Sequence, residues 1–346
     1  MRKAIAVVCT VLVVGIGFTV WSGYQKITQF PKQKLTVQAG QLLDVPRGTT
    51  TKRLAKLIEE DHILADASLL PWYLKLHPEL GHIKAGAYSL NGVSDVQDLL
   101  ELVNKGKEVQ FQARFIQGTT FKEWRQILDK LSHLKHTLLG KTDAQIYALL
   151  GLPTTTGNTN LEGWFYPDTY SYTPDSTDLE LLKRASVRLQ RGLAEAWESR
   201  AKDLPLKTPY DLLILASLIQ KETSLKEEQP KVAAVFVNRL KKGMRLQTDP
   251  TVIYGMGDNY HGNIRKKDLM TPTPYNTYII NGLPPTPIAM VTQSVLEAAA
   301  HPADIKALFF VADGTGGHKF SDTLSEHNQA VRQYLQWYRQ HIQGKK

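Results

Sequence analysis

The stretch "ASLIQKETS", residues 216–224, carries one carboxylate where an apolar residue is expected. Leu215, Leu218 and Ile219 precede Glu222 by seven, four and three positions, so at about 3.6 residues per turn all four share one side of a helix. A carboxyl group on such a face is desolvated, which disfavours its charged form. Its place near the helix C-terminus adds the negative end of the macrodipole. Lys221 is adjacent in sequence but about 100° away around the helix, so it is not an assured partner. An acid that keeps its proton near neutrality is a proton donor, as glycosidic bond cleavage requires. The competing reading is a frayed last-turn glutamate facing water.

Other candidates are weaker. "LQTDPTVIYG" clusters Gln247, Thr248 and Asp249 before a proline, which supplies donors and acceptors for sugar hydroxyls or makes an ordinary Asx turn. "DGTGGHKF" lacks the Gly-Lys-Ser/Thr ending of a phosphate loop and reads as a hairpin turn between two short strands. His318 and His327 are nine apart and no HExxH occurs, so no metal site is expected. There is no GxSxG, and Ser217 inside a helix is not a nucleophile elbow. No cofactor motif is present.

These residues must be held by a folded scaffold. The chain has 346 residues, 42% hydrophobic and 22% charged, enough for two domains. Its formal charge of +9 suits nucleic acid, anionic lipid or an acidic polymer. Zinc-finger spacing, basic heptad helices and aromatic RNA-binding signatures are absent, which argues against nucleic acid. The single cysteine, Cys9, lies in the apolar N-terminal run, so no disulfide framework exists elsewhere.

That run, Ala4 to Gln25, is uncharged and long enough to cross a hydrocarbon core of roughly 30 Å. Arg2 and Lys3 before it favour a cytoplasmic N-terminus, and Trp21 and Tyr24 stand as interfacial aromatics. Lacking an A-x-A site, it reads as an uncleaved anchor (residues 1–25). Residues 26–33 read as a polar tether, and residues 34–106 as a small α+β accessory domain. In residues 107–346, "LEGWFYPDTYSY" reads as an aromatic core plug with Pro167 fixing a turn. A long helix is expected over about 179–201. The next helix has Thr208 as N-cap, Pro209 at its first position and Asp211 in its first turn. The C-terminal third reads as loops and short strands closed by a helix. The fold class is α+β, with the key glutamate near a helix end beside a small sheet.

Taken together, "ASLIQKETS", "VFVNRLKKGMRLQTDPTVIYG", "TPYNTYIINGLPPTPI" and "VADGTGGHKFSDTLSEHN" resemble the endolytic murein transglycosylase family (YceG-like). "EGWFYPDTY" upstream fits as well. The resemblance implies a membrane-anchored lyase that cuts nascent peptidoglycan strands internally, leaving 1,6-anhydro-N-acetylmuramic acid ends and terminating elongation. It implies a LysM-like accessory domain, a single pass through the inner membrane and a catalytic domain in the periplasm. The expected partners are glycan strands, the membrane and peptidoglycan synthases. The family's catalytic glutamate falls on Glu222, and Gln247, Thr248, Asp249, Tyr254 and Asn276 fall near the substrate. Position 220 is Gln where family members often carry an acid, which puts a second carboxylate there in doubt. A muramidase using Asp249, or a non-catalytic wall-binding scaffold, stays open as an alternative.

Overall fold

The computed structural model describes residues 2–154, 157–174 and 176–341, with side chains described from Val14 onward. It is a mixed α+β fold that divides into two compact units, residues 1–111 with 171–175, and residues 112–170 with 176–346.

In the first unit, α1 (Arg2–Gln29) runs on past the apolar segment into a 3-10 turn at Phe30–Lys32. The tether expected at residues 26–33 is therefore ordered, because Phe30 is 1% exposed in the unit's core and Ile27 packs against that core. Among the described residues no helix is long and apolar enough to cross a membrane. Residues 4–13 of the expected anchor lie outside the residues whose side chains are described.

Strand β1 (Leu42–Val45) is followed by α2 (Thr51–Glu60) and α3 (Leu70–Leu76), and then by β2 (Gly86–Ser89). The two strands pair antiparallel, Leu42 opposite Ser89 and Val45 opposite Gly86. Helix α4 (Val96–Lys105) begins where the Asp95 side chain accepts from Asp98 N and ends at Gly106 in the left-handed region. Leu43, Leu54, Ile58, Tyr88 and Leu99 form the apolar interior. Residues 34–38 contribute one isolated bridge, between Lys34 and Asp95.

Strand β3 (Phe111–Arg114) leads to α5 (Phe121–Leu128) and α6 (Asp143–Leu150), and pairs with β4 (Thr169–Tyr172). Trp164, Phe165 and Tyr170 are buried, as expected of an aromatic plug. The long helix is α7 (Asp178–Ser199). After it comes α8 (Pro209–Glu222), the core helix of the second unit, which packs against α7 and against α9 (Gln229–Lys241), α10 (Asp249–Met256) and α12 (Gln293–Ala300). The short α11 (Lys266–Leu269) lies between the last two in sequence. Strands β5 (Phe309–Ala312) and β6 (His318–Ser321) make an antiparallel hairpin against α9 and α13 (Leu324–His341).

Two parts of the C-terminal third differ from the expected loops and strands. Residues 249–256 form α10 because Asp249 and Pro250 occupy its first two positions, where a carboxylate faces the helix dipole and proline's missing N–H costs nothing. Residues 293–300 form α12, whose alanines let α8 and α9 approach closely.

Candidate active site

Helix α8 starts as its sequence requires. The Thr208 side chain accepts from Asp211 N, and Asp211 Oδ2 accepts from Thr208 N at 3.0 Å, a reciprocal cap with Pro209 at the first helical position. From Leu212 to Gln220 every residue is buried, so neighbouring helices surround α8 on all sides. Ser217 is consumed structurally, donating to Ile214 O and accepting from Ile288 N. Gln220 Oε1 accepts from both Thr292 N and Thr292 Oγ1 at 3.1 Å, so position 220 is a hinge-pin between α8 and the start of α12. Lys221 turns outward and donates to Gly118 O at 3.0 Å.

Glu222 is the last residue of α8 and is half-buried at the wall of a cavity of about 480 Å³. Burial pushes its carboxyl above the usual carboxylate range. A hydrogen bond from Thr248 opposes that rise, the charge of Asp249 reinforces it, and His318 opposes it more weakly. Thr248 Oγ1 donates directly to Glu222 Oε1, so the carboxyl has one fixed neutral donor and no cationic hydrogen-bond partner among the described residues.

The segment 246–249 is shaped to present that hydroxyl. Gln247 has φ of 51°, a left-handed conformation unusual for a side-chain-bearing residue, and its N–H donates to Thr277 O. Thr248 N donates to Thr277 Oγ1, and Thr251 Oγ1 donates to Thr248 O. With its backbone held this way, the Thr248 hydroxyl points to Glu222 instead of capping α10.

Gln247 and Asp249 line the same cavity as Glu222. Asp249 accepts from the Tyr278 hydroxyl at 2.6 Å, and Tyr278 also lines the cavity. Burial and Asp249 raise the Tyr278 phenol well above its ordinary value, so it stays a donor. Tyr254 and Asn276 do not line this cavity. Tyr254 donates to Glu162 Oε2 at 3.1 Å and meets Tyr275 edge to face. Asn276 is fully buried and its Nδ2 donates to carbonyls of residues 268, 269 and 271, tying down the loop after α11.

Several cavity residues were not singled out from sequence. Arg239 is 7% exposed, its guanidinium donating to Leu308 O, Arg245 O, Leu246 O and Gln247 Oε1. Its signal was available: Val232, Val235 and Phe236 precede it by seven, four and three residues, the spacing that exposed Glu222. Burial pulls its pKa down, yet a guanidinium keeps its charge. His327 stacks on Phe309 at 5.1 Å, and burial, then Arg239, holds its imidazole toward the neutral form. His327 lines the cavity and His318 does not; among the described residues no group of three potential metal ligands is found.

The site therefore offers one carboxyl that burial pushes toward its protonated form, one hydroxyl bonded to it, and a polar wall that contains a second carboxylate. That equipment fits acid–base cleavage of a glycosidic bond.

Residues 43–333 match the family model described as the YceG-like family. An endolytic murein transglycosylase of Bacillus subtilis (strain 168) is 31% identical over 306 residues, 85% of this chain and 84% of that protein. An endolytic murein transglycosylase of Streptococcus pneumoniae (serotype 2, strain D39) is 25% identical, and the match spans 84% of this chain and 58% of the longer pneumococcal protein. A crystal structure of a YceG-like protein from Listeria monocytogenes superposes with a TM-score of 0.55 at 28% identity, covering 84% of this chain and 98% of that one.

Proposed function

This chain belongs to the YceG-like family, and from that membership we propose that it is an endolytic murein transglycosylase, a lyase acting on peptidoglycan glycan strands, with Glu222 as its catalytic acid and base. The observation that carries the residue assignment is the desolvated carboxyl at the end of α8, bonded by Thr248 at the wall of a polar cavity.

In the proposed reaction, protonated Glu222 gives its proton to the oxygen linking N-acetylmuramic acid to N-acetylglucosamine, and the C1–O bond breaks. The resulting carboxylate takes the proton of the muramic acid C6 hydroxyl as that oxygen bonds to C1. The product ends in 1,6-anhydro-N-acetylmuramic acid, Glu222 is reprotonated, and no water is consumed. Because the nucleophile belongs to the sugar, one protein carboxylate suffices where hydrolases use two. Thr248 stabilises the transient carboxylate. Gln247 and Asp249, with Tyr278, supply hydrogen-bonding groups for the sugar ring, while Tyr254 and Asn276 hold the walls in place.

The cellular setting is part of the same reading. The apolar run after Arg2 and Lys3 would anchor the chain in the inner membrane, with the enzyme in the periplasm near peptidoglycan synthases. The first unit, a small two-stranded sheet with helices around its own core, would serve as the LysM-like wall-binding module.

Glu222→Gln keeps the shape and the Thr248 contact but cannot donate a proton. It should lower the rate of strand cleavage at least a thousandfold, on the order of a lost general acid, with the melting temperature unchanged. A variant that cleaves at the wild-type rate would overturn the assignment of Glu222, and a cellular effect that survives the loss of cleavage would move the protein to the scaffold reading.

A further inference from the structure

Beyond the cavity, one buried acid is oriented away from the helix it introduces. Glu228 is 8% exposed at the N-cap of α9, yet its side chain makes no capping bond. Instead Oε1 accepts from His318 N at 2.8 Å and Oε2 pairs with His318 Nδ1 at 2.7 Å. A Cβ on Gly317 would lie 2.8 Å from Oε1, so this carboxylate occupies the space a side chain would need. On its other side, Oε2 lies 3.5 Å from Thr223 Oγ1, and Thr223 is the residue that follows Glu222. One carboxylate thus joins the tip of the β5–β6 hairpin to the end of α8.

We propose that Glu228 and His318 form a positioning pair that fixes the end of α8 and sets the charge facing Glu222. The proposal rests on Glu222 being the proton donor. Glu228 Oε2 orients the ring through Nδ1, and the charge of the His318 ring opposes the burial that pushes the Glu222 carboxyl up. Ionisable groups on the hairpin and on the helices packed against it include Asp313, Lys319, Asp322, Lys231, Arg239, Glu326 and His327. Asp313 is engaged by Thr315 and Gly317 within the turn and held below the ordinary range by those bonds, so it stays an anion throughout. Lys231 and Arg239 lie over Phe320 and Phe309, on the aromatic faces of the hairpin.

The test is the pH dependence of kcat/KM for strand cleavage by the full chain in detergent, comparing wild type with His318→Gln, Glu228→Gln and the double variant. Removing the ring's charge, or the carboxylate that supports it, leaves Glu222 protonated to higher pH. The falling basic limb should move up by roughly half a unit to one unit in either single variant. The double variant should move no further, because both changes remove one interaction. A purely structural role would lower the rate at every pH and leave the limb in place, and a limb within 0.2 unit of wild type in both variants (~0.3 kcal/mol) overturns the proposal. Gly317→Ala, which displaces the carboxylate without touching a titratable group, should reproduce the Glu228→Gln shift if either Gln variant fails to fold. Glu222→Gln is run alongside: activity retained there would defeat the assignment of the acid itself, whereas activity lost there with unmoved limbs defeats only the pair.

Discussion

At the scale of residues, the proposed chemistry depends on burial that pushes the Glu222 carboxyl up and on a threonine that eases its return from the ionised state. Thr248→Val keeps volume and removes the donor. A hydrogen bond to a charged group contributes about 1.5–3 kcal/mol, so kcat should fall roughly ten- to a hundredfold. Since that bond opposes the upward push on Glu222, its loss should also move the basic limb of the pH–rate profile upward. An unchanged profile in Thr248→Val would show that the hydroxyl does not act on the carboxyl. The half-buried place of Glu222 at the end of α8 is legible from periodicity, because a charge on an apolar helical stripe stands out in any window, while its proposed role rests on the family resemblance. Arg239 carries the same periodic signal, but a basic residue near a helix end also has an ordinary explanation in the macrodipole. Glu228 and His318 were not legible at all: they lie 90 positions apart, and only the packing of the hairpin brings them together.

The elements show which sequence rules govern and where packing overrides them. Capping boxes start α5, α6, α7 and α8, and all four threonines that open them could be read directly from the chain. Helices α10 and α12 were missed because they are short and have little amphipathic pattern; they form by packing against α8. Glu162 is an example of a load set by such packing. It accepts from Phe121 N, the first residue of α5, and from the Tyr254 hydroxyl on α10, and burial raises its pKa from 4.5 to about 8. A folded-state pKa above the unfolded one means the native state binds the extra proton. The stabilisation is complete below about pH 4.5 and declines as pH rises through 8. The whole decline is at most about 5 kcal/mol. Glu162→Gln, neutral at every pH, should flatten the fall in melting temperature between pH 5 and 9; an equal fall in both proteins would contradict the assignment.

Across the whole molecule, two compact units each carry an apolar interior, and the chain passes from the first to the second near residue 111. The tether was misread because a polar composition hid Phe30, whose ring is core. The anchoring proposal predicts that removing residues 1–25 shifts the protein from the membrane to the soluble fraction while cleavage of dissolved glycan strands stays within about twofold, since the end of α8 and its cavity lie in the second unit. Retention of the shortened chain in washed membranes would contradict it. The most direct test of the central claim is mass spectrometry of uncrosslinked glycan strands cleaved in ¹⁸O-labelled water by wild type and by Glu222→Gln. A single carboxyl that recruits the sugar's own hydroxyl predicts unlabelled 1,6-anhydro ends from the wild type and no new ends from the variant. Labelled reducing muramic acid ends, or anhydro ends released by the variant, would contradict it.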